Sequence, residues 1–267
     1  MATQEQELAR PSDQEILDFE KIAKADELSK PLVSEIMDFT TLQHEYAGGS
    51  AIFQRKIQSV IKECRGMRAI KKDGNCFYRG FGFRLAELVW EQANTLWADT
   101  ILTRAMSTKE LLLSQGYDLY AIEDFYDMFI NTFKPQKDKN LLDLFTEKYD
   151  GEAIVCYLRL VTAAILKRDR DMYEAFILDS YPSIDIFISN QVEPMAVESD
   201  NIHIVAMSSA LGVNIKVANL DLAETSGGDI NYHEFSPMDP VDIPNQPEVV
   251  LMYRPGHYDV IYPNVKT

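Results

Sequence analysis

The stretch Val249-Val250-Leu251-Met252-Tyr253-Arg254-Pro255-Gly256-His257-Tyr258-Asp259-Val260-Ile261-Tyr262 decides the fold class. Pro-Gly is the pair favoured at the centre of a type II turn, so two apolar strands, 249–253 and 258–262, fold back around it as a hairpin. The other strand signal, Ile215-Lys216-Val217, also lies late in the chain. Most of what precedes it has helical spacing. Ile52, Phe53, Ile57, Val60 and Ile61 mark one amphipathic helix. Ser107-Thr108-Lys109-Glu110 has the pattern of a capping box ahead of Leu111, Leu112 and Leu113, with Gly116 as the stop. Further helices are predicted over 120–133, 152–168, 171–178 and 199–211, the last closed by Gly212. Pro237, Pro240, Pro244 and Pro247 keep the segment before the hairpin an extended connector. Helices first and strands last predict an α+β architecture, helices packed around a small, mostly antiparallel sheet, instead of an alternating parallel fold.

The 267 residues are 46 % hydrophobic and 25 % charged, a mix that supports one substantial core and excludes a low-complexity chain. No run of 18 apolar residues is present and the first residues are polar and acidic, so neither a membrane span nor a signal peptide is expected. Three widely spaced cysteines, Cys64, Cys76 and Cys156, suggest no disulfide framework and no zinc site, which fits a cytoplasmic or nuclear setting. With 26 basic against 42 acidic residues the formal net charge is −16, a surface that repels nucleic acid and anionic lipid and attracts basic proteins. Solubility alone accounts for many such charges. Residues 1–30 carry four basic and eight acidic side chains around a short apolar stripe, Ile16, Leu17, Ile22 and Ala23, before Pro31. That stripe is too small to hold a helix by itself in water. The expected organisation is therefore a flexible arm over 1–30 that becomes helical on a partner, and a packed domain over 31–267.

The chemistry concentrates in Lys72-Asp73-Gly74-Asn75-Cys76-Phe77-Tyr78-Arg79-Gly80-Phe81. Asp-Gly-Asn is a turn signal, and Phe77, Phe81, Leu85, Leu88 and Val89 then recur at helical spacing. Cys76 thus falls at a helix N-terminus, where unpaired N–H groups and the dipole favour a thiolate. The N–H groups of Gly74, Asn75 and Cys76 are candidates to hold an oxyanion. The plainer alternative is a buried cysteine acting as a small apolar residue. In the hairpin, His257, Asp259 and Ile261 share one face of their strand. Cβ atoms two residues apart on a strand lie roughly 6.5–7 Å from each other, within reach for Asp259 to accept from the imidazole. That is how a general base is oriented. His44 and His233 have no chemical neighbour in sequence, and His203 fits a packed helix-start residue. Cys64, placed at a charged helix end, and Cys156, in an apolar stripe, read as structural. Cys76 and His257 remain as the pair.

These two motifs, with Val192-Glu193-Pro194-Met195, resemble the ovarian-tumour (OTU) family of cysteine deubiquitinases, and within it the otubains; the resemblance runs from about Pro31 to Tyr262. It implies a papain-like α+β fold of the OTU type, no metal or cofactor, and ubiquitin or polyubiquitin as substrate, handled by a monomer. By the same resemblance Cys76 is the nucleophile, His257 the general base and Asp259 its orienting partner, with backbone N–H groups around Asp73 and Cys76 as the oxyanion hole. It further implies cleavage of the proteasome-targeting chain linkage. A second implication is a binding role, in which the arm and the ubiquitin sites restrain ubiquitin-conjugating enzymes without cleavage. A generic papain-like peptidase or esterase is a third reading, weakened because no propeptide or secretion signal is expected.

Overall fold

The structure, a computed structural model, describes residues 29–135, 140–225, 229–240 and 243–264, together with positions 12, 14 and 227. The proposed arm residues Ile16, Leu17, Ile22 and Ala23 lie outside the described residues. The chain divides into two compact units, Met1–Pro31 and Leu32–Thr267, and the second holds every element named below.

In chain order these are α1 (Thr40–Glu45), α2 (Ala51–Glu63), β1 (Cys64–Arg68), α3 (Cys76–Glu91), α4 (Leu96–Ser114), α5 (Leu119–Thr132), α6 (Leu141–Thr146), α7 (Lys148–Arg168), α8 (Arg170–Ile177), α9 (Ile184–Phe187), a π-turn over Ile188–Val192, α10 (Asn201–Leu211), β2 (Ile215–Asn219), β3 (Asn231–Phe235), β4 (Val249–Arg254) and β5 (His257–Pro263). The five strands form one sheet in the order β1-β5-β4-β2-β3. Only the β2–β4 pairing is parallel. The expected α+β class with a small, mostly antiparallel sheet is what the structure has.

The hairpin explains why the core sits where it does. β4 and β5 lie inside the sheet, so both of their faces are covered, and they read as continuous apolar runs. Tyr258, Val260 and Tyr262 join Phe77, Phe81 and Leu85 of α3 and Val155, Leu158 and Val161 of α7 in one cluster. Ile261, Val250 and Met252 join Ile57 and Val60 of α2 in a second cluster on the other face. The alternation of side chains on β5 therefore sends Tyr258 toward α3 while His257 and Asp259 share the α2-side face. Gly82 lets α7 approach α3: a Cβ there would stand 2.9 Å from Leu158 Cδ1.

One local expectation is corrected. Ser107–Glu110 does not begin a helix; it lies inside α4, and the Ser107 hydroxyl donates to Arg104 O one turn back, at 2.8 Å. The start is Thr95, whose Oγ1 accepts from Ala98 N at 3.3 Å. An S/T-x-x-E pattern caps only where the chain is not already helical, and upstream packing of Trp97 and Ile101 settled that here. Cys64 stands at the charged end of α2 as expected, its N–H donating to Val60 O as the C-cap, and it also opens β1. β1 (CRGMR) and the edge strand β3 (NYHEF) are short and polar, so neither shows the apolar alternation that marks a strand.

Candidate active site

The loop ahead of α3 is built around two constraints on Gly74. Its φ is +76°, and a Cβ on it would stand 2.4 Å from the carbonyl carbon and oxygen of Ala196. Only glycine meets both. Asp73 Oδ1 accepts from Asn75 N at 3.0 Å, closing the turn, and from Arg79 Nη1 at 2.8 Å. Cys76 is the first residue of α3 and is 3 % exposed.

The hairpin supplies the rest. Tyr258 N–H donates to Cys76 Sγ at 3.4 Å, and the Tyr258 ring packs edge-on against Phe77. His257 Nε2 lies 2.9 Å from Asp259 Oδ1, and its Nδ1 is buried without a hydrogen-bond partner. Asp259, fully buried, also accepts from Ile70 N at 3.0 Å. Arg254 stands opposite His257 in the hairpin register. Its Nη2 is 2.9 Å from Asp259 Oδ2, an ionic contact outside hydrogen-bond alignment, while its Nη1 donates to Glu45 Oε2 at 2.7 Å.

Burial works against the charged imidazole of His257, but the hydrogen bond and charge of Asp259 and the nearby Cys76 outweigh it and raise the pKa to about 9. Burial likewise opposes ionisation of Asp259, yet His257, Arg254 and the Ile70 N–H hold its carboxyl below the usual range. Burial, aided by Glu63, pushes Cys64 up to about 11, and burial raises Cys156 as well.

Cys76, His257 and Asp259 are thus brought together in space. Of the four candidate oxyanion donors, Asp73 N–H is turned to Lys71 O at 3.1 Å and Asn75 N–H to Asp73 Oδ1. Those of Gly74 and Cys76 have no protein acceptor among the described residues, so the donors free for an oxyanion are these two. His203 lies in the first turn of α10, with Nδ1 accepting from Asp200 N at 3.1 Å, a helix-start role. Reasoning from sequence missed Arg254, although its place across a two-residue turn from His257 puts it on the same sheet face. It also missed a cleft of about 350 Å³ next to the hairpin, lined by Tyr258, Tyr253 and Phe235 together with Glu198 and Asp200. No His, Cys, Asp and Glu cluster among the described residues could hold a metal ion, and no described helix is long and apolar enough to cross a membrane.

The chain is similar to known proteins over most of its length. The family model described as Peptidase C65 Otubain matches residues 25–263. The chain is 37 % identical over 239 residues to ubiquitin thioesterase OTUB1 of Homo sapiens, covering 88 % of this chain and 84 % of that one. It is 34 % identical over 251 residues to the OVARIAN TUMOR DOMAIN-containing deubiquitinating enzyme 1 of Arabidopsis thaliana, covering 87 % and 81 %. A solved structure of h/ceOTUB1 with ubiquitin aldehyde and UBC13~Ub superposes with a TM-score of 0.77 at 26 % identity, over 94 % of this chain and 98 % of that one. The chain belongs to the otubain family, peptidase C65.

Proposed function

We propose that this otubain is a ubiquitin thioesterase that hydrolyses isopeptide bonds in polyubiquitin through a thioester on Cys76. The observation that carries the reading is the buried array of Cys76 at the start of α3 with His257 and Asp259, next to Tyr258, which lines a cleft that also carries Glu198 and Asp200. His257 takes the thiol proton, and the thiolate forms a bond to the carbonyl carbon of the ubiquitin C-terminal glycine. The Gly74 and Cys76 N–H groups receive the oxyanion. The tetrahedral intermediate collapses with cleavage of the C–N bond, and the imidazolium gives its proton to the departing lysine amine. Water, deprotonated by His257, then cleaves the thioester and restores the thiol. Glu198 and Asp200 suit the arginine-rich ubiquitin tail, and the net charge of −16 steers a basic partner toward the enzyme.

Release of a fluorophore from a ubiquitin C-terminal reporter, with no release from a short peptide ester, is the test. Turnover of the ester alone would favour a generic peptidase. The linkage proposed is the proteasome-targeting one, expected to be cleaved in preference across a panel of di-ubiquitins. All three cysteines are free, which suits the cytoplasm and nucleus.

The raised imidazole pKa sets a pH expectation. Below about 9 the proton that His257 takes from the thiol stays on the imidazole for the leaving amine; above it that proton is lost to solvent. kcat/KM for the reporter should therefore fall through about pH 9. The same shift means that the stability this group contributes is present in full below the ordinary imidazole pKa and disappears as pH rises through about 9. A basic limb near 6.5, the ordinary imidazole value, would show that Asp259 does not act on His257.

A second activity, binding to ubiquitin-charged conjugating enzymes, draws support from the h/ceOTUB1 structure with UBC13~Ub. In this reading residues 1–30 form a helix on that partner or on a second ubiquitin. Deleting 1–30 is expected to weaken chain cleavage and enzyme inhibition while sparing the single-ubiquitin reporter. Unchanged chain cleavage and inhibition would reduce the arm to a solubilising tail.

A further inference from the structure

Arg159, in the middle of α7, is fully buried and has no carboxylate in ion-pair range among the described residues. Its guanidinium lies over the Tyr78 ring, 4.7 Å from the centroid. A helix position needing only packing would carry Leu or Met, because a buried cation facing neutral groups must be fully hydrogen-bonded to be tolerated. Each of the three nitrogens of Arg159 has at least one acceptor, and every acceptor belongs to one of two segments. Nε and Nη2 donate to Asn75 Oδ1 at 3.3 and 2.8 Å, and Nη2 also to Gly74 O at 2.9 Å. Nη1 donates to Val192 O at 3.1 Å and Nη2 to Val197 O at 2.7 Å. The first set is the catalytic loop; the second is the strip that leads into the cleft wall at Glu198.

The two segments are pressed backbone to backbone. Ala196 N–H donates to Asn75 Oδ1 at 2.8 Å, and Ala196 holds φ +63°, a conformation a non-glycine residue keeps only when its surroundings impose it. With Gly74 O and the Asn75 side chain both held, the peptide units on either side of Asn75 have little freedom left. The free N–H of Cys76 belongs to the second of them. We infer that Arg159 is a positioning residue for the oxyanion hole, clamping the Gly74–Cys76 backbone to the 192–197 strip so that the donors stay aimed while the cleft is occupied. The inference rests on the thioesterase reading above.

Two reagents separate positioning from general damage. Ubiquitin aldehyde adds the Cys76 sulfur to its carbonyl carbon, the π pair moving to an oxygen that needs the hole and takes up the thiol proton. Iodoacetamide forms the S–C bond at a saturated carbon, releasing iodide and the thiol proton, and needs no oxyanion donor. For Arg159→Met, kcat on the ubiquitin reporter and affinity for ubiquitin aldehyde are expected to fall together, by on the order of 10²-fold, the scale of one oxyanion donor. KM and the rate of iodoacetamide alkylation should stay near wild type. Arg159→Lys should remain impaired, because a point charge cannot span acceptors on two segments; full recovery with lysine would make charge alone sufficient and overturn the clamp. If Arg159→Met does not fold, Asn75→Ala removes the shared acceptor and should give the same split. Alkylation falling in step with aldehyde affinity, or neither falling, would refute the inference while leaving the thioesterase reading intact. A wild-type chain that is alkylated at Cys76 yet forms no ubiquitin aldehyde adduct would instead bring down that reading, and the clamp with it.

Discussion

Cys76→Ser is expected to abolish labelling by an electrophilic ubiquitin probe and to lower turnover of the ubiquitin reporter by at least on the order of 10⁴-fold, the scale on which loss of a nucleophile acts in covalent catalysis. Serine preserves the size of the side chain in a site that is 3 % exposed, so the fold should persist and the loss should be chemical. A hydroxyl beside the same imidazole is a far weaker nucleophile than a thiolate. Cys64→Ser and Cys156→Ser should leave labelling intact, because burial raises both thiols and keeps them protonated at neutral pH. Intact-mass measurement of the probe adduct checks all three variants. An adduct that persists in Cys76→Ser and disappears in either of the others would move the nucleophile.

Asp259→Asn is expected to lower kcat by on the order of 10²–10⁴-fold with a smaller change in KM. An amide fits the space of the carboxylate but not its partners, which face both oxygens with donors or positive charge. The carboxylate Oδ1 takes His257 and Ile70 N–H, and its Oδ2 faces Arg254. An amide that keeps oxygen toward His257 turns its NH₂ against the guanidinium. The flipped amide offers a donor to Nε2, which forces the imidazole proton onto Nδ1 and removes the base that Cys76 needs. The lost charge adds a second signature: the limb near pH 9 should move to lower pH, since Asp259 is a main cause of the raised imidazole pKa. Arg254 keeps Glu45, so thermal unfolding should show partial destabilisation instead of collapse. Full kcat with an unmoved pH limb would mean that another group orients the imidazole.

Some features could be read directly because they depend on neighbours in sequence. Pro255-Gly256 sets a turn whatever lies around it, and Gly256 takes φ +73° there. The period-2 geometry of a strand put His257 and Asp259 on one face before any tertiary contact was known, and their 2.9 Å contact follows from it. Asp73-Gly74-Asn75 ahead of a helical repeat located Cys76 at the start of α3. The same local logic failed at Ser107, where a motif that caps an isolated helix was overruled by packing along α4.

What depends on residues far apart in the chain had no local signature. Asp259 gains a charge partner in Arg254 and a donor in Ile70, while Glu45, more than 200 positions from Arg254, holds that arginine from its other side. Arg159 showed in the sequence only as one cation in an apolar stripe; its acceptors come from 84 and 85 positions earlier and from 33 and 38 positions later. The free oxyanion donors were decided the same way, since the turn itself occupies two of the four N–H groups. The sequence by itself determined the α+β class, the hairpin, the place of Cys76 at a helix start and the shared strand face of His257 and Asp259, because turn chemistry and side-chain periodicity act over a few residues. Only the tertiary structure decided which N–H groups are free, which arginines hold the site, and where the acidic cleft opens, because each is set by groups that meet only when α3, α7 and the sheet pack together.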